Sequence, residues 1–342
     1  MKTSQSAFQS AAQSVSQSVS QSAFKPFSLK RNLLAAAALA ATALVSHAAV
    51  AGDITFSASQ VYPESITWSA KQHVFMVGSV THGTVGKISV DGQYTPFITD
   101  KRLVSTLGLL VDDRRNVLWV TNSDPGVGEN TDTATVGKLA AVATYDATTG
   151  KPRDYFDLSK IDPGAHLAND LVLDAQGNAY VTDSFAPVIY RIDTHGHASV
   201  FAQDARFKTG EGFNLNGIAM HRNGYLIVGN YNSGELFRID IHDPSKIDRV
   251  ALPEALKGAD GFNLIDDQHL IVVQNNGVDR TVELMSTDDW RTAKIVRTLK
   301  SEESMPTSAV KEGGKIYVLN SRIDTLYKPD APKINNYILQ QF

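Results

Sequence analysis

From residue 64 onward, apolar and polar positions alternate over short runs. In HLANDLVLDAQGNAYVTDS, residues 166–184, Leu171 and Leu173 share one parity, the polar tetrad DAQG follows, and Tyr180 and Thr182 resume the alternation. Alternation, turn, alternation is the pattern of a β-hairpin. It occurs five more times: ESITWSAKQHVFMVGS from Glu64, LGLLVDDRRNVLWVTN from Leu107, NGIAMHRNGYLIVGNY from Asn216, DGFNLIDDQHLIVVQN from Asp260 and PTSAVKEGGKIYVLNS from Pro306. With the first residue of each as position zero, positions two and four are mostly apolar, as in Ile66 and Trp68, Ile218 and Met220, or Phe262 and Leu264.

These starts are 43, 62, 47, 44 and 46 residues apart. The spacing leaves room for two more strands per unit, such as GKISV and YTPFI in the first or VIYRIDT and ASVFA in the third. Four strands in roughly 40–50 residues make a propeller blade. The pattern therefore predicts an all-β protein, a six-bladed β-propeller with four-stranded blades, built as one domain over residues 52–342. Ring closure is expected from DITFSAS near its start and NNYILQQF at the C-terminus. A β-sandwich with accidental periodicity is the competing fold, and six in-register matches argue against it. The longest spacing holds SDPGVGENTDTATVGK from Ser123, expected as a long loop on one face of the disc.

Residues 1–29 are mostly Ser, Gln and Ala, a composition too poor in large apolar groups to offset its ordering entropy. Lys30-Arg31 and the apolar run LLAAAALAATALV at 33–45 follow. That run falls short of the about 20 residues a membrane span needs. With the small residues after it, it reads as a secretory signal peptide, cleaved near Ala48 or Ala51. Residues 1–51 are thus expected to be a disordered n-region and signal, and the mature chain to be exported, periplasmic or secreted. Losing them removes Lys2, Lys25, Lys30 and Arg31 and no acid, which leaves 28 basic against 36 acidic residues. That acidic balance speaks against nucleic acid and against an anionic membrane. The chain has no cysteine, so thiolate metal sites and cysteine nucleophiles are excluded and an exported fold rests on its core. A monomer acting on a small molecule is expected.

Asn169 has the parity of the buried leucines that follow it. Position zero around the ring reads Glu64, Leu107, Asn169, Asn216, Asp260 and Pro306. In a propeller, inner strands surround a channel, so four side-chain oxygens would converge at its mouth. Buried carboxylates without a partner are costly, and a divalent cation removes the cost. An all-oxygen shell selects a hard ion, and calcium (Ca2+) suits it better than magnesium because it takes 6–8 oxygens in flexible geometry. Glu64, Asn169, Asn216 and Asp260 are the expected metal ligands. The competing reading is that Asn, Asp and Gly before a strand are ordinary turn residues.

The Glu of PES (Glu64), the ND pair (Asn169-Asp170), the NG pair (Asn216-Gly217) and the DG pair (Asp260-Gly261) resemble motifs of the regucalcin/gluconolactonase superfamily of calcium-dependent six-bladed propellers, with diisopropyl-fluorophosphatase and the paraoxonases as relatives. The resemblance implies hydrolysis of lactones or phosphoesters, with calcium polarising the substrate oxygen. Asp260 or Glu64 would then act as general base or nucleophile. His82, in VTHGTVG, is the best catalytic histidine candidate. His166, Asp183, Asn122 and Tyr231 are expected to line the pocket, Asp183 there or hydrogen-bonded to Asn169. Two departures stand out: Leu107 makes one side of the pocket apolar, and the Arg and Asn that grip sugar lactones in regucalcin-type members are not identifiable. The alternatives are a non-enzymatic propeller with calcium as a structural pin, or carbon–nitrogen bond formation as in the strictosidine-synthase branch, where the quartet would be unnecessary.

Overall fold

The computed structural model describes residues 52–342, so the expected signal segment lies outside the described residues. Twenty-four strands form six four-stranded antiparallel sheets. We number the blades by their inner strands: Ile66–Ser69 (blade 1), Ser105–Asp112 (2), Ala168–Leu173 (3), Leu215–His221 (4), Ala259–Leu264 (5) and Pro306–Glu312 (6). Each inner strand lies beside that of the next blade, and blade 6 meets blade 1, so the molecule is a closed six-bladed β-propeller. Closure uses the two expected segments: Ile54–Ser57 pairs antiparallel with Asn336–Gln341 and forms the outer edge of blade 6.

The apolar residues pack between blades. Val142 of blade 2 meets Leu171 and Tyr190 of blade 3, and Ile189 of blade 3 meets Leu226 and Phe237 of blade 4. Met76 with Leu118, Ile227 with Leu270, Ile271 with Val318, and Tyr317 with Phe75 fill the other gaps. A blade's second strand is therefore covered on both faces, and Ala179–Asp183 and Tyr225–Asn230 are buried throughout. A strand covered on both faces no longer needs to alternate apolar and polar residues.

The inner strands carry one irregularity at the same place. In blade 3 Ala168 pairs with Asp183 and Leu171 with Val181, so Asn169 and Asp170 together face Thr182. Blades 2, 4, 5 and 6 are bulged at the equivalent point. An extra residue in one strand re-aims the side chains there. The bulge sends Asn169 to the cavity at one end of the axial channel and Asp170 toward the funnel at the other.

Register also corrects the count in blade 6. Ala309 pairs two residues before Asn320, as Leu171 does before Asp183, so the partner of Asn169 in blade 6 is Thr307 and not Pro306. The sixth hairpin turns tightly through Gly313-Gly314 and is one residue shorter than those of blades 3, 4 and 5.

Candidate functional site

Glu64, Asn169, Asn216, Asp260 and Thr307 line one cavity of about 70 Å³ at the hub. Glu64 stands just before the inner strand of blade 1, and the other four come from the bulges of blades 3 to 6. Side-chain hydroxyls of one blade hold the bulge carbonyls of the next in place. Thr121 Oγ1 donates to the Asn169 carbonyl at 2.7 Å, and Thr182 Oγ1 to the Asn216 carbonyl at 2.8 Å.

The Asn169 amide and the Asp260 carboxylate are each held by one atom. Asn169 Nδ2 donates to Ser184 Oγ at 2.9 Å, and Ser184 Oγ donates on to the Leu215 carbonyl. Asp260 Oδ2 accepts from Asn275 Nδ2. Asn169 Oδ1, Asn216 Oδ1, Asp260 Oδ1 and Thr307 Oγ1 are left buried with no protein partner. Four neighbouring oxygens without a donor are a large departure from the usual satisfaction of buried polar atoms. Their chemistry fits a hard cation.

Electrostatics point the same way. Burial pushes the Asp260 carboxyl up to about 8, with the Asp170 charge adding to the effect and the Asn275 and Asn216 amides opposing it. Glu64 is raised well above its ordinary value, first by burial and then by the charges of Asp260 and Asp170. Burial lifts Asp170 itself to about 7. Carboxylates so placed resist shared ionisation unless positive charge joins them. Among the described residues no three His, Asp or Glu side chains form a metal-ligand cluster; the set here is two carboxylates, two amides and a hydroxyl.

Around this polar floor the lining is apolar: Val80, Leu107, Pro125, Phe213, Met305 and Ile323, with Tyr231 and Tyr327. Leu107 takes the place expected of it. Pro125 belongs to the insertion, whose turns are gathered on the buried Asp124 carboxylate. That carboxylate accepts from Gly126 N, Thr131 Oγ1, Asp132 N and Thr135 Oγ1.

Four expected site residues do not line this cavity. His82 is held by the Ser59 carbonyl at 2.9 Å and by Glu129 of the insertion at 2.9 Å. His166 is buried, with Nδ1 on Asp183 at 2.8 Å and Nε2 on the Asp162 carbonyl at 2.6 Å. Asp183 neither lines the cavity nor bonds Asn169; its Oδ1 accepts from the backbone of Leu167, Phe185 and Ala186. Asn122 accepts from Val104 N and donates to the Arg102 carbonyl and the Tyr155 hydroxyl. Asp183 ends the second strand of its blade and Asn122 stands one residue before the end of its own, and Asn230, Gln274 and Asn320 at equivalent places also bond the loops leading into their own blades. That position is a loop pin. The next residue along (Ser184, Tyr231 or Asn275) is the one that reaches the site, and the VTDS and VVQNN strings held that signal. Tyr231 lines the cavity as expected.

No protein-family model matches the chain, and no curated protein matches it. Solved structures do. The major Malassezia sympodialis allergen Mala s 1 superposes with a TM-score of 0.68 at 16% identity, over 84% of this chain and 95% of that one. A luciferin-regenerating enzyme gives 0.57 at 14% identity, over 84% and 94%. Virginiamycin B lyase from Staphylococcus aureus gives 0.55 at 14%, over 78% and 80%. At these identities the likeness establishes the fold, which enzymes and an allergen share.

Proposed function

We propose that this chain is an exported, calcium-dependent hydrolase of lactone or related ester bonds. The observation that carries the reading is the set of partnerless oxygens on Asn169, Asn216, Asp260 and Thr307, gathered with Glu64 in one cavity. These residues would hold the ion. Bound there, calcium supplies positive charge that polarises a carbonyl or phosphoryl oxygen. With Asp260 Oδ1 given to the ion, a Glu64 carboxylate oxygen would take the proton of the attacking water as that water adds to the carbonyl or phosphoryl centre and the alkoxide leaves. The small cavity admits the reacting group, and the apolar rim of Leu107, Phe213 and Met305 receives an alkyl or aryl substituent and excludes water. That rim suits sugars poorly, in line with the missing sugar-gripping pair.

A panel of lactones, aryl esters and organophosphates, assayed with and without chelator, tests the reading. Turnover that disappears with chelator and in Asp260→Asn supports it. The narrowness of the cavity favours one other reading, calcium as a structural pin in a ligand-binding propeller. Chelator would then lower the melting temperature while no substrate turned over.

A further inference from the structure

Asn275 follows the strand His269–Gln274 and is fully buried. Its backbone N–H donates to the Gly258 carbonyl at 3.0 Å. Its side-chain amide has every direction occupied. One Nδ2 proton goes to Asp260 Oδ2, the other to the Pro306 carbonyl at 3.0 Å, and Oδ1 accepts from the Tyr231 hydroxyl at 2.6 Å. These three partners stand in blades 5, 6 and 4. Turning the amide over would set its oxygen against a carboxylate and a carbonyl. The orientation is therefore fixed by the assembled ring and not by local backbone. Tyr231 is anchored in turn, its N–H on the Asn214 carbonyl at 2.7 Å and its carbonyl on Gly258 N at 2.8 Å.

A carboxylate free to rotate presents either oxygen, or both, to a neighbour. With Oδ2 held, Asp260 can present only Oδ1, which is the atom left buried without a partner. We propose that Asn275 and Tyr231 are a positioning pair that locks one Asp260 oxygen into the cavity and so sets the affinity of the site for a divalent cation. This rests on the reading of Asp260 as a cation ligand. Groups that orient metal ligands are worth about 10–100-fold in metal affinity when removed.

The test is calorimetric titration of chelator-stripped full chain with calcium chloride, beside melting of the same samples in chelator. Tyr231→Phe removes one hydroxyl and keeps the ring. It is expected to weaken calcium binding about 10-fold, and Asn275→Ala about 10–100-fold, with chelated melting temperatures that do not track the loss. Tyr145→Phe is the control. It removes a comparable hydroxyl bond, to Asp100 at 2.9 Å in blade 2, and should leave calcium affinity unchanged. Wild-type affinity in both Tyr231→Phe and Asn275→Ala overturns the positioning role, as does a Tyr231→Phe loss no larger than that of Tyr145→Phe. A wild-type chain that binds no calcium overturns the ligand reading beneath it, a different and separable result.

Discussion

Asn169 gives its amide nitrogen to Ser184 at 2.9 Å and turns its amide oxygen, without a donor, into the hub cavity. Ser184 is itself fixed by the Leu215 carbonyl of the next blade. Ser184→Ala frees the amide to rotate and leaves two buried groups short of a partner. The expected outcome is a stability loss of about 1–3 kcal/mol and calcium binding weakened about 10-fold, read by denaturant melts in chelator and by titration.

Thr307 is expected to behave in the opposite sense. Its hydroxyl is buried without a protein partner. Thr307→Val replaces it with a methyl group of similar shape, a change that can be neutral or stabilising where the polar group is unsatisfied. Melting in chelator should stay level or rise, while the further rise on adding calcium should shrink. Paired thermal melts check both signs.

Gly217 and Gly261 mark the places where neighbouring bulges touch. A Cβ on Gly217 would collide with the Asp260 carbonyl, and one on Gly261 would come within 2.6 Å of the Thr307 carbonyl. Gly217→Ala must push the inner strands of blades 4 and 5 apart. The expected cost is about 2–4 kcal/mol, at the high end for single substitutions, with calcium binding lost as the ring loosens. Urea denaturation and titration of the same sample check it.

These glycines show what the sequence held. The repeat gave blade number, strand count and both closing strands, because hairpin periodicity is local. The quartet was legible for the same reason: one register places Glu64, Asn169, Asn216 and Asp260 alike. The Gly of the NG and DG pairs looked like a turn residue, yet it serves close approach between blades, which only three-dimensional packing reveals. Thr307 was missed because the hairpin of blade 6 is one residue shorter. Asp183 and Asn122 were misplaced by a single residue, since the strand end pins the incoming loop and its successor faces the next blade. His82 and His166 sit near the right loops in sequence, but their rings are taken by Glu129 and Asp183. Ser59, Glu129 and Asp183, which hold them, lie too far along the chain for spacing to show, and the Asp162 carbonyl is a backbone group that carries no side-chain signal.

His166 has an acceptor on each ring nitrogen, the Asp183 carboxylate and the Asp162 carbonyl, an arrangement that suits the cationic ring. Burial lowers its pKa, but the Asp183 hydrogen bond and charge outweigh it, so the net shift is upward from 6.5. A raised histidine pKa contributes stability that is full below the unfolded value and is lost as pH rises through the folded one. The stability difference between wild type and His166→Gln should thus be largest below about pH 6 and shrink toward alkaline pH. Chemical denaturation of both proteins across that range checks it; a difference that grows with pH would contradict it.

The proposed hub ion is tested most directly by equilibrium dialysis of chelator-stripped protein against calcium, with circular dichroism to confirm that each variant is folded. Wild type should retain calcium, and Asp260→Asn should retain one ion fewer per chain with its β-sheet spectrum intact. Equal retention by the two proteins, or none by wild type, would contradict a cation held by Glu64, Asn169, Asn216, Asp260 and Thr307.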